Sequence, residues 1–322
     1  MRYFFTLILL LTAITVTGQK NWFSGSVYSN AAYYLDDKKT GDFEYSDRFR
    51  SNNYIKLDGG LNQFEFGLQL EGYTPQSILN FNPQFDQELG LGTYYVGFRT
   101  ANLNIRVGHF YEQFGSGLIL RSWEDRELGL NNALRGVQFN YRPFELWQLK
   151  FLYGKTRSGF DVSEGATFGA DSELELGQLL DWESDFLNVG FSVVHRKQEV
   201  IDSAPDFEET TKSYALRLNY SGDKFYTNIE YVGKSPDALV EFESVRTENR
   251  NKGNALLLNL GYSKPGFGLD ANFRRLENMG FYADREARGN SYNDKLINYV
   301  PGLTRQHDYG SVSYTHLRAH ET

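Results

Sequence analysis

The sequence predicts an all-β protein, an up-and-down antiparallel transmembrane β-barrel of the outer-membrane type, incomplete at its C-terminus. Three observations predict it. Apolar and polar residues alternate with period two along most of the chain, in segments of about ten residues. Very short turns alternate with long polar connections, as in outer-membrane barrels. Aromatics reach 16%, with 22 Tyr and 25 Phe, yet mean hydropathy is −0.51. That average is too polar for a helical membrane protein, but it suits strands that show lipid only alternate residues.

The strands are predicted at 22–35, 48–58, 61–73, 91–100, 102–110, 133–142 and 145–155, then 186–197, 212–221, 223–232, 253–263 and 266–275. The clearest is 61–73, where Phe64, Phe66, Leu68 and Leu70 alternate with Glu65, Gly67, Gln69 and Glu71. Tyr214, Leu216, Leu218 and Tyr220 alternate with Ser213, Arg217 and Asn219 in the same way. About ten residues is what a tilted strand needs to cross a bilayer core, whereas soluble strands average about five or six.

Tight turns are expected at Gly59-Gly60, Thr100-Ala101, Pro143-Phe144, Ser221-Gly222 and Lys264-Pro265. Long loops are expected at 36–47, 74–90, 111–132, 156–185, 198–211, 233–252 and from 276 onward. Loops 156–185 and 198–211 would fall on opposite ends of the sheet, breaking the alternation. A further strand at 174–182, where Leu174, Leu176, Leu180 and Trp182 alternate with polar residues or Gly, restores it. The count becomes thirteen, an odd number that fits an incomplete chain. Tyr and Phe at strand ends, among them Tyr33, Tyr54, Tyr73, Phe110, Tyr141, Tyr153 and Tyr231, suit an interfacial girdle. Arg50, Lys56, Glu65, Glu71, Arg106, Lys150, Arg217, Glu230, Asp270 and Arg274 fall on the inward faces.

Composition removes several classes. The chain has no cysteine, so no disulfide framework or Cys-ligated metal is available. Its 33 basic and 41 acidic residues give a charge of −8, which argues against a nucleic-acid partner. The aromatic content is too high for a disordered chain.

The ends read as processed or foreign segments. Arg2 followed by the apolar run Tyr3 to Val16 and the small residues Val16-Thr17-Gly18 has the form of a secretory signal peptide, 1–18. The run is too short to span a bilayer as a helix. The final string VSYTHLRAHET, 312–322, resembles a translated sequencing adapter. His316 and His320 therefore carry no metal reading, and the chain is expected to continue beyond this end. A single barrel domain, 19–311, remains.

Three stretches are distinctive: FRSNNYIKLD at 49–58, GHFYEQFGSGLILRSWEDRELGLNNALRGV at 108–137, and FNYRP at 139–143. With GSVYSNAAYYLDD at 25–37, they resemble DUF6029, a family of uncharacterised Bacteroidetes proteins. The resemblance covers the mature chain from about residue 22. It implies an outer-membrane-type barrel and no catalytic residues.

The richest candidate site is the predicted loop 111–132 and its flanks. Arg121, Arg126 and Arg135 face Glu112, Glu124, Asp125 and Glu127, with Trp123 between. Folded into the lumen, they would build a charged constriction. The plainer reading is a salt-bridged loop that plugs the barrel or braces its rim. Ser116 and His109 lie nearby, but Phe-Gly-Ser-Gly-Leu lacks the Gly-x-Ser-x-Gly elbow. Glu124 with Glu127 is a weak carboxylate pair. Between Arg157 and Arg196 the chain has carboxylates and no Lys or Arg. Asp171, Glu173 and Glu175 are weak Ca²⁺ candidates there, without EF-hand spacing, against the plainer reading of a solvated acidic loop.

No enzyme and no cofactor are expected. The function expected is a porin-like passive channel, or a plugged barrel with long external loops, in the outer membrane of a Gram-negative bacterium. Its partners would be outer-membrane lipid and lipopolysaccharide, with a small solute or glycan. The alternatives are a surface binding or adhesion scaffold and a secreted carbohydrate-binding β-sandwich.

Overall fold

The computed structural model describes residues 21–36, 39, 48–78, 89–126, 129–182, 185–241, 244–286 and 296–301. The predicted segments 1–18 and 312–322, most of loop 36–47, and Glu127 lie outside the described residues. One antiparallel sheet of thirteen strands makes the body of the protein. In chain order these are β1 (Trp22–Tyr33), β2 (Phe49–Leu61), β3 (Phe64–Gly72), β4 (Leu89–Arg99) and β5 (Leu103–Phe110). There follow β6 (Leu134–Phe144), β7 (Trp147–Ser158), β8 (Asp161–Glu175), β9 (Phe186–Lys197) and β10 (Thr210–Ser221). The last three are β11 (Phe225–Lys234), β12 (Gly253–Lys264) and β13 (Phe267–Glu277).

Each strand pairs only with its neighbours in sequence, so the sheet is an unbroken meander. Among the described residues β1 and β13 are its two unpaired edges. The meander is the wall of an up-and-down barrel, open between those edges. No helix among the described residues is long and apolar enough to cross a membrane.

The outer face is apolar and exposed: Val96 is 59% accessible, Leu216 52% and Phe273 51%. The inner face is polar and largely covered. The two faces follow from the period-two alternation of side chains.

The inner face is layered by register. Asn188, Asn219, Asn228, Asn259 and Asn272 pair in one row across β9 to β13. The next row toward the long loops is Gly190, Arg217, Glu230, Leu257 and Arg274. The row after that is Ser192, Ala215, Val232, Ala255 and Leu276.

Glycines line up where β5, β6 and β7 pair. Gly108, Gly136 and Gly154 pair across these strands. A side chain on Gly136 would collide with the backbone of Tyr153 and Gly154. Only glycine lets the strands approach so closely.

Three expectations need correction, and the turn expected at Pro143-Phe144 moves to Glu145-Leu146 because Pro143 and Phe144 end β6. The extra strand is not at 174–182. It runs from Asp161 to Glu175, and Leu176–Leu179 form a helical turn. The Glu175 carboxylate fixes that turn by accepting from the N–H groups of Gly177 and Leu187. The loop 156–185 therefore shrinks to a two-residue turn at Gly159 and Phe160 on one side and the connection 176–185 on the other. Period two is hidden in β8 because its inward positions are small: Ser163, Gly165, Thr167 and Gly169 are all buried.

Gly59 and Gly60 are not a turn either. They sit in β2, covered by the Phe66 ring and the Trp22 indole. The chain reverses at Asn62-Gln63 instead, with Asn62 at φ 56°. The aromatic girdle also divides. Tyr33, Tyr141, Tyr153 and Tyr231 are exposed, but Tyr54, Tyr73 and Phe110 are buried inside.

Candidate functional site in the concave face

The described residues of the segment 111–133 turn inward and lie across the inner face. Two short ladders shape it, Gln113–Phe114 with Leu120–Arg121 and Glu124–Asp125 with Leu130–Asn131. Gly115 and Gly117, at φ 54° and 93°, make the tight bends that local sterics allow glycine. Phe114, Leu118, Ile119 and Leu120 are fully buried. They pack on Leu152, Val194 and the small apolar row Ala215, Val232 and Ala255. Phe114 lies over Gly169 of β8, where a Cβ would meet its ring at 2.9 Å.

A second inward segment completes the filling. Met279, Phe281, Ala283 and Ile297 join the same core. Arg121 N–H donates to Ile297 O at 2.8 Å, and Tyr299 N–H donates to Gly117 O at 2.9 Å. The lumen is thus occupied by the protein's own chain at this level.

Among the described residues the predicted charged side chains do not form one ring. They divide among separate anchors around the apolar centre. Glu112 reaches the wall, accepting from Lys150 Nζ at 2.9 Å and Gln138 Nε2 at 2.7 Å. Arg121 lies between the rings of Trp123 and Tyr299, 4.7 Å from each centroid. Glu124 accepts from Gln69 Nε2 and Arg126 Nε, both at 3.2 Å. Arg126 also stacks over Tyr54 at 4.6 Å and donates to Gln69 Oε1 at 2.9 Å. Asp125 lines the same cleft as Glu124 and Arg126. Arg135 stands apart on β6, 3.8 Å from the exposed Asp161.

Ser116 and His109 do not pair. Ser116 N–H donates to Glu230 Oε2 at 3.1 Å, which ties the tip of the segment to β11. His109 Nδ1 faces the Tyr94 backbone instead.

Asp171, Glu173 and Glu175 of β8 face inward rather than into a solvated loop. Asp171 is 3% exposed. It accepts from Arg217 Nη2 at 2.5 Å and from Ser192 Oγ at 2.6 Å. Glu173 lies 3.3 Å from the same guanidinium. Glu175 holds the turn after β8. Among the described residues no group of three or more metal-ligating side chains converges.

Two buried ion clusters escaped the sequence reading. Glu71 of β3 and Arg157 of β7 meet at 2.5 Å, though three strands separate theirs. Only a strongly curved sheet brings those inner faces together. Glu71 also accepts from Tyr73 Oη at 2.7 Å. Burial, with that carboxylate beside it, pushes the Tyr73 phenol up, so its O–H stays a donor. The second cluster is Arg196 and Arg285, both fully buried, around Asp237. It locks the 235–241 and 279–286 segments to β9. Burial, and then Arg196, push the Arg285 guanidinium down. One signal was available for the inward segment. The run Leu118-Ile119-Leu120, preceded by Gly115 and Gly117, is too apolar for a solvated loop.

Solved structures with a similar arrangement are outer-membrane proteins. OccK9 (OpdG) of Pseudomonas aeruginosa is 12% identical, with a TM-score of 0.41, and covers 80% of this chain and 67% of that one. The outer membrane channel DcaP of Acinetobacter baumannii is 14% identical, with a TM-score of 0.35 and 79% of each chain covered. OccK2 (OpdF) of Pseudomonas aeruginosa, solved with glucuronate, is 9% identical at a TM-score of 0.33, covering 80% of this chain and 91% of that one. These values are too low to transfer any property to this chain. No curated protein matches it. The family comparison is direct: the model of DUF6029, a family of unknown function, matches residues 1–320, and the chain belongs to that family.

Proposed function

We propose that the chain is a porin-like barrel of the Gram-negative outer membrane, whose passage is narrowed by its own inward-folded segments. The observation that carries this reading is the contrast between the two faces of one sheet. The outer face exposes Val96, Phe168, Phe191, Leu216 and Leu269, a surface suited to lipid. The inner face carries amide and ion-pair rows and holds 111–133. The loop end would meet lipopolysaccharide, and the solute would be small. The test is carbonate extraction with the folded-versus-boiled gel shift, followed by conductance in planar bilayers. Extraction by carbonate with no gel shift sinks the barrel. A second reading, a surface binding scaffold, is favoured by the full burial of Phe114 and Leu118 to Leu120. Insertion without any conductance would select it.

A further inference from the structure

On the turn side of the inward segments, the lumen wall carries the row Asn188, Asn219, Asn228, Asn259 and Asn272, directly paired across five consecutive strands. Asparagine is depleted in strands, so each position is occupied against local preference. Departures of that kind are expected where function asks for them. All five side chains project inward, on the same face as Arg217 and Glu230. Among the described residues none of the five amides has a hydrogen-bond partner within the protein, although directly opposed amides could reach one another. The Asn188 carbonyl oxygen is buried and unpartnered. Asn228 and Asn272 are exposed to the lumen, and the others partly so.

The chemistry of the row is neutral and two-sided. Each amide offers one acceptor oxygen and two N–H donors. A hydroxyl group, at once donor and acceptor, satisfies both sides of that pair, whereas an ion engages only one of them. The adjacent row supplies little net charge, because Arg217 is already held by Asp171 and the formal charges of Glu230 and Arg274 offset each other.

We infer that the five asparagines form an uncharged hydrogen-bonding belt that takes neutral, hydroxyl-rich solutes, sugars or polyols, as they cross the lumen. This rests on the channel reading for passage, but not for binding.

The test uses the purified full chain in planar bilayers carrying potassium current. Maltotriose is expected to interrupt the current, and trigalacturonate of the same length to do so more weakly. Each amide–hydroxyl bond lost should weaken binding about fivefold. The triple variant Asn219→Ala, Asn228→Ala, Asn259→Ala should then weaken maltotriose binding by roughly a hundredfold, with potassium conductance retained. If the triple variant fails to fold, Asn228→Ala alone should show the single fivefold step (roughly). Conductance without any effect of maltotriose overturns the belt and leaves the channel standing. So does unchanged affinity in the variants, or tighter binding of trigalacturonate. Absence of conductance overturns the channel alone. Calorimetric titration of the detergent-solubilised protein with maltotriose then tests the belt, and no heat of binding overturns it.

Discussion

Replacing Glu71 isolates the force that holds the curved wall together. Glu71 is 1% exposed. Its carboxylate accepts from Arg157 Nη2 at 2.5 Å, Tyr73 Oη at 2.7 Å and Gln69 Nε2 at 2.8 Å. Glu71→Leu removes all three hydrogen bonds and leaves Arg157, which is 3% exposed, without its carboxylate. Arg157 keeps only its bond from Nε to Gly159 O, 2.7 Å long. Removing one partner of a buried pair costs about 3–5 kcal/mol, because the other charge stays buried and uncompensated. Replacing both partners by apolar residues of similar size is often neutral or stabilising. The double variant Glu71→Leu, Arg157→Met should therefore recover most of the loss. The assay is urea unfolding of the detergent-solubilised chain, followed by tryptophan fluorescence and gel mobility. A single-variant loss below about 1 kcal/mol would refute the reasoning, since exposed pairs cost no more than that. A double variant as unstable as Glu71→Leu would refute it equally.

Phe114→Ala should cost about 3–5 kcal/mol through the cavity it leaves. Freed from its seat over Gly169, the segment should also admit more current, and an unchanged pore would count against constriction by 111–133. Leu216→Arg should destabilise the protein in lipid vesicles by about 2–4 kcal/mol if that face meets hydrocarbon. In a water-soluble sheet the same exposed position would change stability by no more than about 0.5 kcal/mol, so urea titration separates the two. Gly136→Val should abolish the folded, heat-modifiable band, because its side chain has only backbone to occupy; a normal band would show that the strands are looser than described.

The sequence by itself determined the strands and their two faces. Period two is a local signal, written wherever an oily side alternates with a polar one, as in 61–73 and 212–221. Arg217 and Glu230 were legible as inward residues for the same reason. The signal failed where the inward positions hold small residues. In β8, Gly165 and Gly169 make room for the inward segments, so a strand resembled an acidic loop. It failed again at Gly59-Gly60, where rings from Phe66 and Trp22 stand in for missing side chains.

The candidate site was legible in composition but not in arrangement. Glu112, Glu124, Arg121 and Arg126 do lie inside the wall, yet only Glu124 and Arg126 meet each other, and each of the four also takes a partner from elsewhere. Those partners, Lys150, Gln69, Tyr54 and Tyr299, come from distant parts of the chain. What only the tertiary structure decided is which inner-face rows meet which inward segment. Register places Ala215, Val232 and Ala255 at one level to receive Phe114, and five asparagines two rows away. Register depends on pairing between strands and on curvature, and neither is carried by any single stretch of sequence.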